Sequence, residues 1–98
     1  MQFLVVAKDG KDPDALERRL VARPAHFERA RLEKEKGVFI LGGAILDEHD
    51  QMVGSSLYLE LQDEDALKQW LADDPYSQQN VWQSFEIHKM RIAKLDDA

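Results

Sequence analysis

The chain contains no cysteine, which excludes a disulfide, a thiolate metal site and a cysteine nucleophile. Its stability therefore does not depend on an oxidising compartment, and a cytoplasmic setting is the expectation. Positive charge is also scarce. Thirteen Lys and Arg stand against 19 Asp and Glu, a formal net charge of -6, so phosphate neutralisation on nucleic acid or on an anionic membrane is not expected. No apolar run approaches the length of a membrane span, and the opening Met1-Gln2-Phe3-Leu4-Val5-Val6-Ala7-Lys8 carries no basic leader. It reads as mature sequence forming a first strand. Gly42-Gly43 lacks both the third glycine and the strand-to-helix setting of a phosphate or dinucleotide loop.

What remains is a globular composition, 44% apolar and 33% charged over 98 residues, without repeats or low-complexity tracts. A single domain over residues 1–98 is expected, with a small core that would gain from further burial at an interface. Phe3 to Ala7 reads as a strand buried on both faces, closed by Asp9-Gly10. Asp12-Pro13 offers an N-cap and a first helical proline, with Leu16 and Leu20 one turn apart. Pro24 predicts a stop or kink and a second segment from there to about Lys36, with Phe27, Ala30 and Arg31 inward and Gly37 as the stop.

Val38 to Leu46 and Met52 to Leu61 form a hairpin through the polar Asp47-Glu48-His49-Asp50-Gln51 reversal. Asp63 caps a helix striped by Ala66, Leu67, Trp70 and Leu71 and stopped by Pro75. Residues 76–83 connect to a last strand from Ser84 to Ala93, where Phe85 and Ile87 are out of phase with Met90 and Ile92, the mark of a bulge. The order β-α-β-β-α-β maps onto an α+β, ferredoxin-like antiparallel sheet with its helices on one face. Two strands apolar in both phases imply a second buried face. The expectation is a homodimer that pairs these faces.

Two signatures carry the candidate chemistry: Arg23-Pro24-Ala25-His26 and Asp73-Asp74-Pro75-Tyr76. In the first turn of a second helical segment, His26 would feel the positive end of the helix dipole and stay neutral, fit to act as a base. Asp74 would fix its tautomer and stabilise the imidazolium. Local signal leaves another reading open, in which His26 bonds to backbone at a helix end and Asp73-Asp74-Pro75 only ends a helix. Ser55 and Ser56, following Gly54 in a strand, could line a cleft without the setting of a nucleophile elbow. Tyr76 could offer a phenol to a ligand or pack against the helix end. Arg18, Arg19 and Arg23 could steer an anion or simply be solvated. Trp70 and Trp82 read as core or interface anchors. The acidic turn around His49 lacks the spacing of a calcium loop, and His88 lies in another element, so no metal site is expected.

Through Arg23-Pro24-Ala25-His26, Gly42-Gly43, Gly54-Ser55-Ser56 and Asp74-Pro75-Tyr76, the chain resembles the YciI-like (YCII-related) family of small dimeric α+β barrel proteins. The resemblance covers nearly the whole length. It implies a face-to-face dimeric α+β barrel, a histidine and aspartate at His26 and Asp74, and a cleft beside the intersubunit sheet interface. Gly42-Gly43 departs mildly from the Gly-Pro common in the family, so the resemblance does not fix the shape of the cleft wall there. Relatives of similar build are lactone isomerases, dehydrochlorinases or oxygenases acting on small ring compounds. The resulting expectation is a cofactor-independent isomerase or lyase using His26 and Asp74 on a small cyclic or aromatic metabolite, with Arg23, Ser55, Ser56 and Tyr76 binding substrate. A noncatalytic small-molecule-binding or protein-interaction module would share that fold.

Overall fold

A computed structural model describes residues 1–96. Chain order is β1 (Gln2–Asp9), α1 (Ala15–Glu35), β2 (Phe39–Leu46), β3 (Met52–Glu60), α2 (Glu64–Ala72), α3 (Pro75–Gln78) and β4 (Trp82–Met90). The strands make one antiparallel sheet in the order β2-β3-β1-β4, which is the ferredoxin-like order. Strands β2 and β4 lie at opposite edges with two strands between them. The sheet is therefore open, and the expected α+β barrel is not what this chain forms. Four strands whose edges do not pair with each other cannot close.

One face of the sheet is the core face. Phe3, Val5 and Ala7 of β1 stand beside Leu57 and Leu59 of β3, packed with Leu67, Trp70 and Leu71 of α2, Tyr76 of α3, and Trp82. Alternation does the sorting: residues of β1 with odd numbers point to the helices, and Leu4 and Val6 point away. Within one chain the second faces of β1 and of the Val38–Leu46 strand are not covered, so the burial expected of them would have to come from outside the chain. In β1 the second face is only half-buried, and β2 is an edge strand with Leu41, Gly42, Gly43 and Ala44 exposed.

Helix α1 is continuous for 21 residues, with Pro24 inside it. No break occurs because Pro24 stands on the exposed side, where the carbonyl it leaves unbonded one turn earlier is within reach of water. The buried stripe is also not the expected one. Leu20 and Phe27 are exposed, while Ala15, Arg19, Ala22 and His26 face the sheet. Their spacing of 4, 3 and 4 residues is one helical face, yet half of it is polar. Asp14, rather than Asp12, is the cap residue of α1, and Asp12 instead clamps Arg18 at 2.7 Å. Gly37 ends the helix at φ 80°, a left-handed turn that glycine enters without a Cβ penalty.

Asp63 caps α2 by accepting from the Ala66 amide at 2.8 Å. The connector expected over residues 76–83 begins as the single turn α3. The β4 bulge falls at its start, between the Lys8 pair with Ser84 and the Asp9 pair with Trp82. Beyond it the register runs regularly to the Gln2 pair with Met90, so Met90 simply shares the outer face with His88 and Glu86. The bulge turns Trp82 into the core beside Asp9.

Candidate active site

The fold brings the two sequence signatures together. His26 reaches from the buried stripe of α1, and Asp74 stands where α2 has ended and α3 begins. Pro75 fixes that junction, because it cannot continue α2 but suits the first position of α3. Asp74 is thereby extended, at φ −71° and ψ 140°, as the residue before a proline prefers. Its Oδ1 caps α3 by accepting from the Tyr76 amide at 2.9 Å and lies 2.8 Å from His26 Nδ1. Arg29 donates to Oδ2 at 3.0 Å and lays its guanidinium over Trp70, 4.2 Å from the ring centre. With three donors converging on it, Asp74 acts as a pure acceptor, which places the proton of the pair on Nδ1 of His26.

The pair is deeply buried, Asp74 at 1% and His26 at 6% exposure. Tyr76 stacks on the imidazole with ring centres 3.9 Å apart, and Trp82 meets the same ring edge-on at 5.6 Å. Burial pushes the Tyr76 phenol up from its ordinary range, and its hydroxyl has no hydrogen-bond partner among the described residues. Because His26 lies in the middle of α1 and not at a helix start, the dipole expected to keep it neutral does not act there. Asp74 holds the tautomer instead.

A second buried network adjoins the first. Arg19 donates to both oxygens of Asp9, at 3.1 and 2.9 Å, and to Ser55 Oγ at 2.9 Å. Trp82 Nε1 donates to the same Ser55 oxygen at 3.1 Å. Burial pushes the Asp9 carboxyl up, against the pull of the Arg19 bonds and charge. The Arg19 guanidinium also lies over Tyr76, 4.8 Å from its centre, joining the two networks through one aromatic ring. Gly54 lets β3 press on β1 at this point, since a Cβ there would stand 2.5 Å from the Ala7 carbonyl oxygen.

A cavity of about 230 Å³ opens beside both networks. Its wall includes Arg19, His26, Phe27, Ser55, Leu57 and Phe39, with Arg31 and Lys34 of α1 and the Gly42-Gly43 edge of β2. Among the described residues no carboxylate lines it, while Arg31 and Lys34 do, so its rim is cationic on a protein of net charge -6. His26 meets Asp74 through Nδ1, and Nε2 has no partner among the described residues. That nitrogen is the acceptor available to a ligand. An engineered apolar cavity of about 150 Å³ accommodates benzene, so the volume here suits one substituted ring.

Of the residues predicted from sequence, His26, Asp74, Tyr76 and Ser55 come together. Ser56 does not: strand alternation sends it to the outer face, opposite Val6 and Gly43. Arg23 is exposed and lies over Phe27, 4.8 Å from the ring centre, outside the cavity wall. Sequence reasoning missed Asp9 and the burial of Arg19, and it did not assign Lys34 or Phe39 to the cleft. The signal for Arg19 was its spacing from His26, seven residues or two turns on one face. His49 is exposed, with Glu48 3.6 Å away, and it lies outside the cavity wall.

Fold and site together define a small α+β protein with a buried histidine–carboxylate dyad at a ring-sized cavity with a cationic rim. The chain belongs to the family of the YCII-related domain, whose model matches residues 1–91. Protein YciI of Escherichia coli O6:H1 is 29% identical over 93 residues, spanning 89% of this chain and 93% of that one. The chain is also similar to the 5-chloro-2-hydroxyhydroquinone dehydrochlorinase TftG of Burkholderia phenoliruptrix AC1100, solved with 2,5-dihydroxybenzoquinone. That likeness has a TM-score of 0.76 at 26% identity and covers 95% of this chain and 96% of that one. An antibiotic biosynthesis monooxygenase, at TM-score 0.52 and 15% identity over 96% of this chain and all of that one, shares the fold alone. Among the described residues no helix is long and apolar enough to cross a membrane.

Proposed function

We propose that this chain is an enzyme that moves a proton on a small, oxygen-substituted ring compound, with His26 as the base and Asp74 as the residue that orients it. The observation that carries the reading is the 2.8 Å contact of His26 Nδ1 with buried Asp74, beside a cavity to which only Nε2 remains free. An imidazole so held accepts a proton at one nitrogen while the carboxylate stabilises the resulting cation. Isomerisation and elimination both begin with such a step, and neither calls on a cofactor. Similarity to a dehydrochlorinase solved with a dihydroxybenzoquinone supports a ligand of this class. Ser55 lines the cavity, Tyr76 stacks on the imidazole without reaching the cavity wall, and Arg31 and Lys34 draw oxygen-rich or anionic ligands to its mouth.

The test is exchange of ring hydrogen for deuterium in 2,5-dihydroxybenzoquinone and related hydroxyquinones, followed by NMR in D₂O. Wild type accelerates exchange, His26→Ala does not, and Asp74→Asn is impaired. Equal exchange in all three proteins overturns the reading, and binding without exchange makes the chain a noncatalytic binding module.

A homodimer through the outer sheet face belongs to the same proposal. That face carries Leu4, Val6, Leu41, Ile45 and Tyr58, and a second copy would cover them. Sedimentation equilibrium gives twice the chain mass if this is right, and Val6→Lys then yields monomer.

A further inference from the structure

Ser55 Oγ accepts two hydrogen bonds whose donors cannot reverse direction, Arg19 Nη2–H at 2.9 Å and indole Trp82 Nε1–H at 3.1 Å. Both of its lone pairs are thus used. Its own hydrogen has no acceptor among the described residues, and Ser55 lines the cavity. A tetrahedral hydroxyl in that situation has one direction left, and it can only donate. His26, with its proton committed to Asp74, can only accept there. Besides the long Arg31 and Lys34 side chains, the cavity therefore presents an acceptor and a donor held in place by buried partners, and that donor is polarised from behind by the buried Arg19 cation.

We infer that Ser55 donates to an oxygen on which negative charge develops, and that the ligand is a planar carbonyl compound whose proton loss moves charge onto that oxygen. This inference rests on the reading of His26 as the base and names the substrate class of the same site. The step is balanced. His26 Nε2 takes a proton from a carbon conjugated to the carbonyl, the C–H pair becomes a carbon–carbon π bond, and the carbonyl π pair moves to oxygen as an enolate. The imidazolium then returns its proton to a different carbon in an isomerisation. In an elimination the enolate re-forms its carbonyl, a new carbon–carbon π bond expels an anionic substituent from a neighbouring carbon, and the imidazolium gives its proton to that anion or to water. A donor placed where the oxyanion forms is a recurrent source of rate in such steps. The Arg19–Asp9 pair is then a positioning device: it holds the donor's two lone pairs occupied so that the hydroxyl hydrogen stays in the cavity.

The experiment uses 4-nitrophenol as a nonreacting probe, because only its anion is coloured and the bound ionisation midpoint can be read directly. Wild type binds the anion in preference to the neutral phenol, and Ser55→Ala lowers that preference about tenfold, equivalent to about 1.4 kcal/mol, because anion affinity falls more than neutral-phenol affinity. Should the alanine variant not fold, Ser55→Cys, a similar-sized but weak donor, gives the same direction, and Ser55→Thr restores the preference. Equal weakening of both probe forms, or no change, overturns the inference and leaves Ser55 a structural peg. Failure of wild type to bind either form overturns the ligand class. The exchange assay on His26→Ala fails or succeeds separately, so loss of the base reading and loss of the donor reading are distinguishable.

Discussion

The rings of His26 and Tyr76 lie 13° from parallel with centres 3.9 Å apart, and the Tyr76 amide and His26 Nδ1 share one oxygen of Asp74. Tyr76 thus fixes the plane of the imidazole while the backbone of the same residue fixes the carboxylate that orients it. The dyad is locked from both sides by a single turn, α3, which Pro75 starts and Asp74 caps.

The tautomer should therefore be unusually well defined. Long-range ¹H–¹⁵N correlation spectra of wild type are expected to show the proton on Nδ1 and a bare Nε2. Asp74→Asn, whose amide can present either an acceptor or a donor to the ring, should mix the tautomers and lower proton-transfer rate by about 10²–10⁴-fold, the range a positioned acid–base group contributes. A single Nδ1–H tautomer persisting in the variant would contradict this.

Tyr76 offers a sharper case, because its hydroxyl is buried without a partner. Leaving such a group unsatisfied costs about 1–3 kcal/mol, so Tyr76→Phe is expected to be as stable as wild type or more stable by about 1 kcal/mol in urea unfolding. The stacking on His26 survives, since phenylalanine keeps the ring. Marked destabilisation would show that the hydroxyl has a partner in solution, such as an ordered water.

These relationships were legible in the sequence to different depths. His26, Asp74 and the turn at Pro75 were readable because proline and a capping aspartate act locally, and the strand and helix order followed from hydrophobic period. The continuity of α1 was not readable, because the cost of Pro24 depends on whether its side of the helix meets water. Nor was the burial of Arg19. A charged side chain enters a core only when a partner such as Asp9 waits there, and that partner comes from another element. Ser55 and Ser56 were indistinguishable until register put one on each face of β3. The open sheet also lay beyond reach, since apolar strands signal burial without saying what covers them.

Removing Asp9 tests the cost of that hidden pair. Asp9→Ala strands a guanidinium that is 3% exposed, and breaking a buried ion pair on one side costs about 3–5 kcal/mol. Arg19→Met together with Asp9→Leu removes both charges and should recover most of the loss while leaving Ser55 without its Arg19 donor. Urea unfolding of the single and double variants measures this, and a mild effect of Asp9→Ala would show that the pair is solvated.

A surface pair supplies the acid response. The bidentate Arg18 guanidinium holds the Asp12 carboxyl down at about 2, against an ordinary 3.8, and Asp12 also accepts the Asp14 amide at the start of α1. Because this folded-state value lies below the unfolded one, the stabilisation is fully present above about pH 4 and is lost as pH falls toward about 2. Asp12→Asn should remove that part of the acid sensitivity while leaving stability at higher pH only slightly reduced, since both partners are partly in water. Salt should mimic the substitution by screening the exposed pair. Thermal unfolding of wild type and Asp12→Asn at a series of pH values, in low and high salt, separates this contribution from the buried dyad, and identical pH profiles for the two proteins would show that the clamp does not hold in solution.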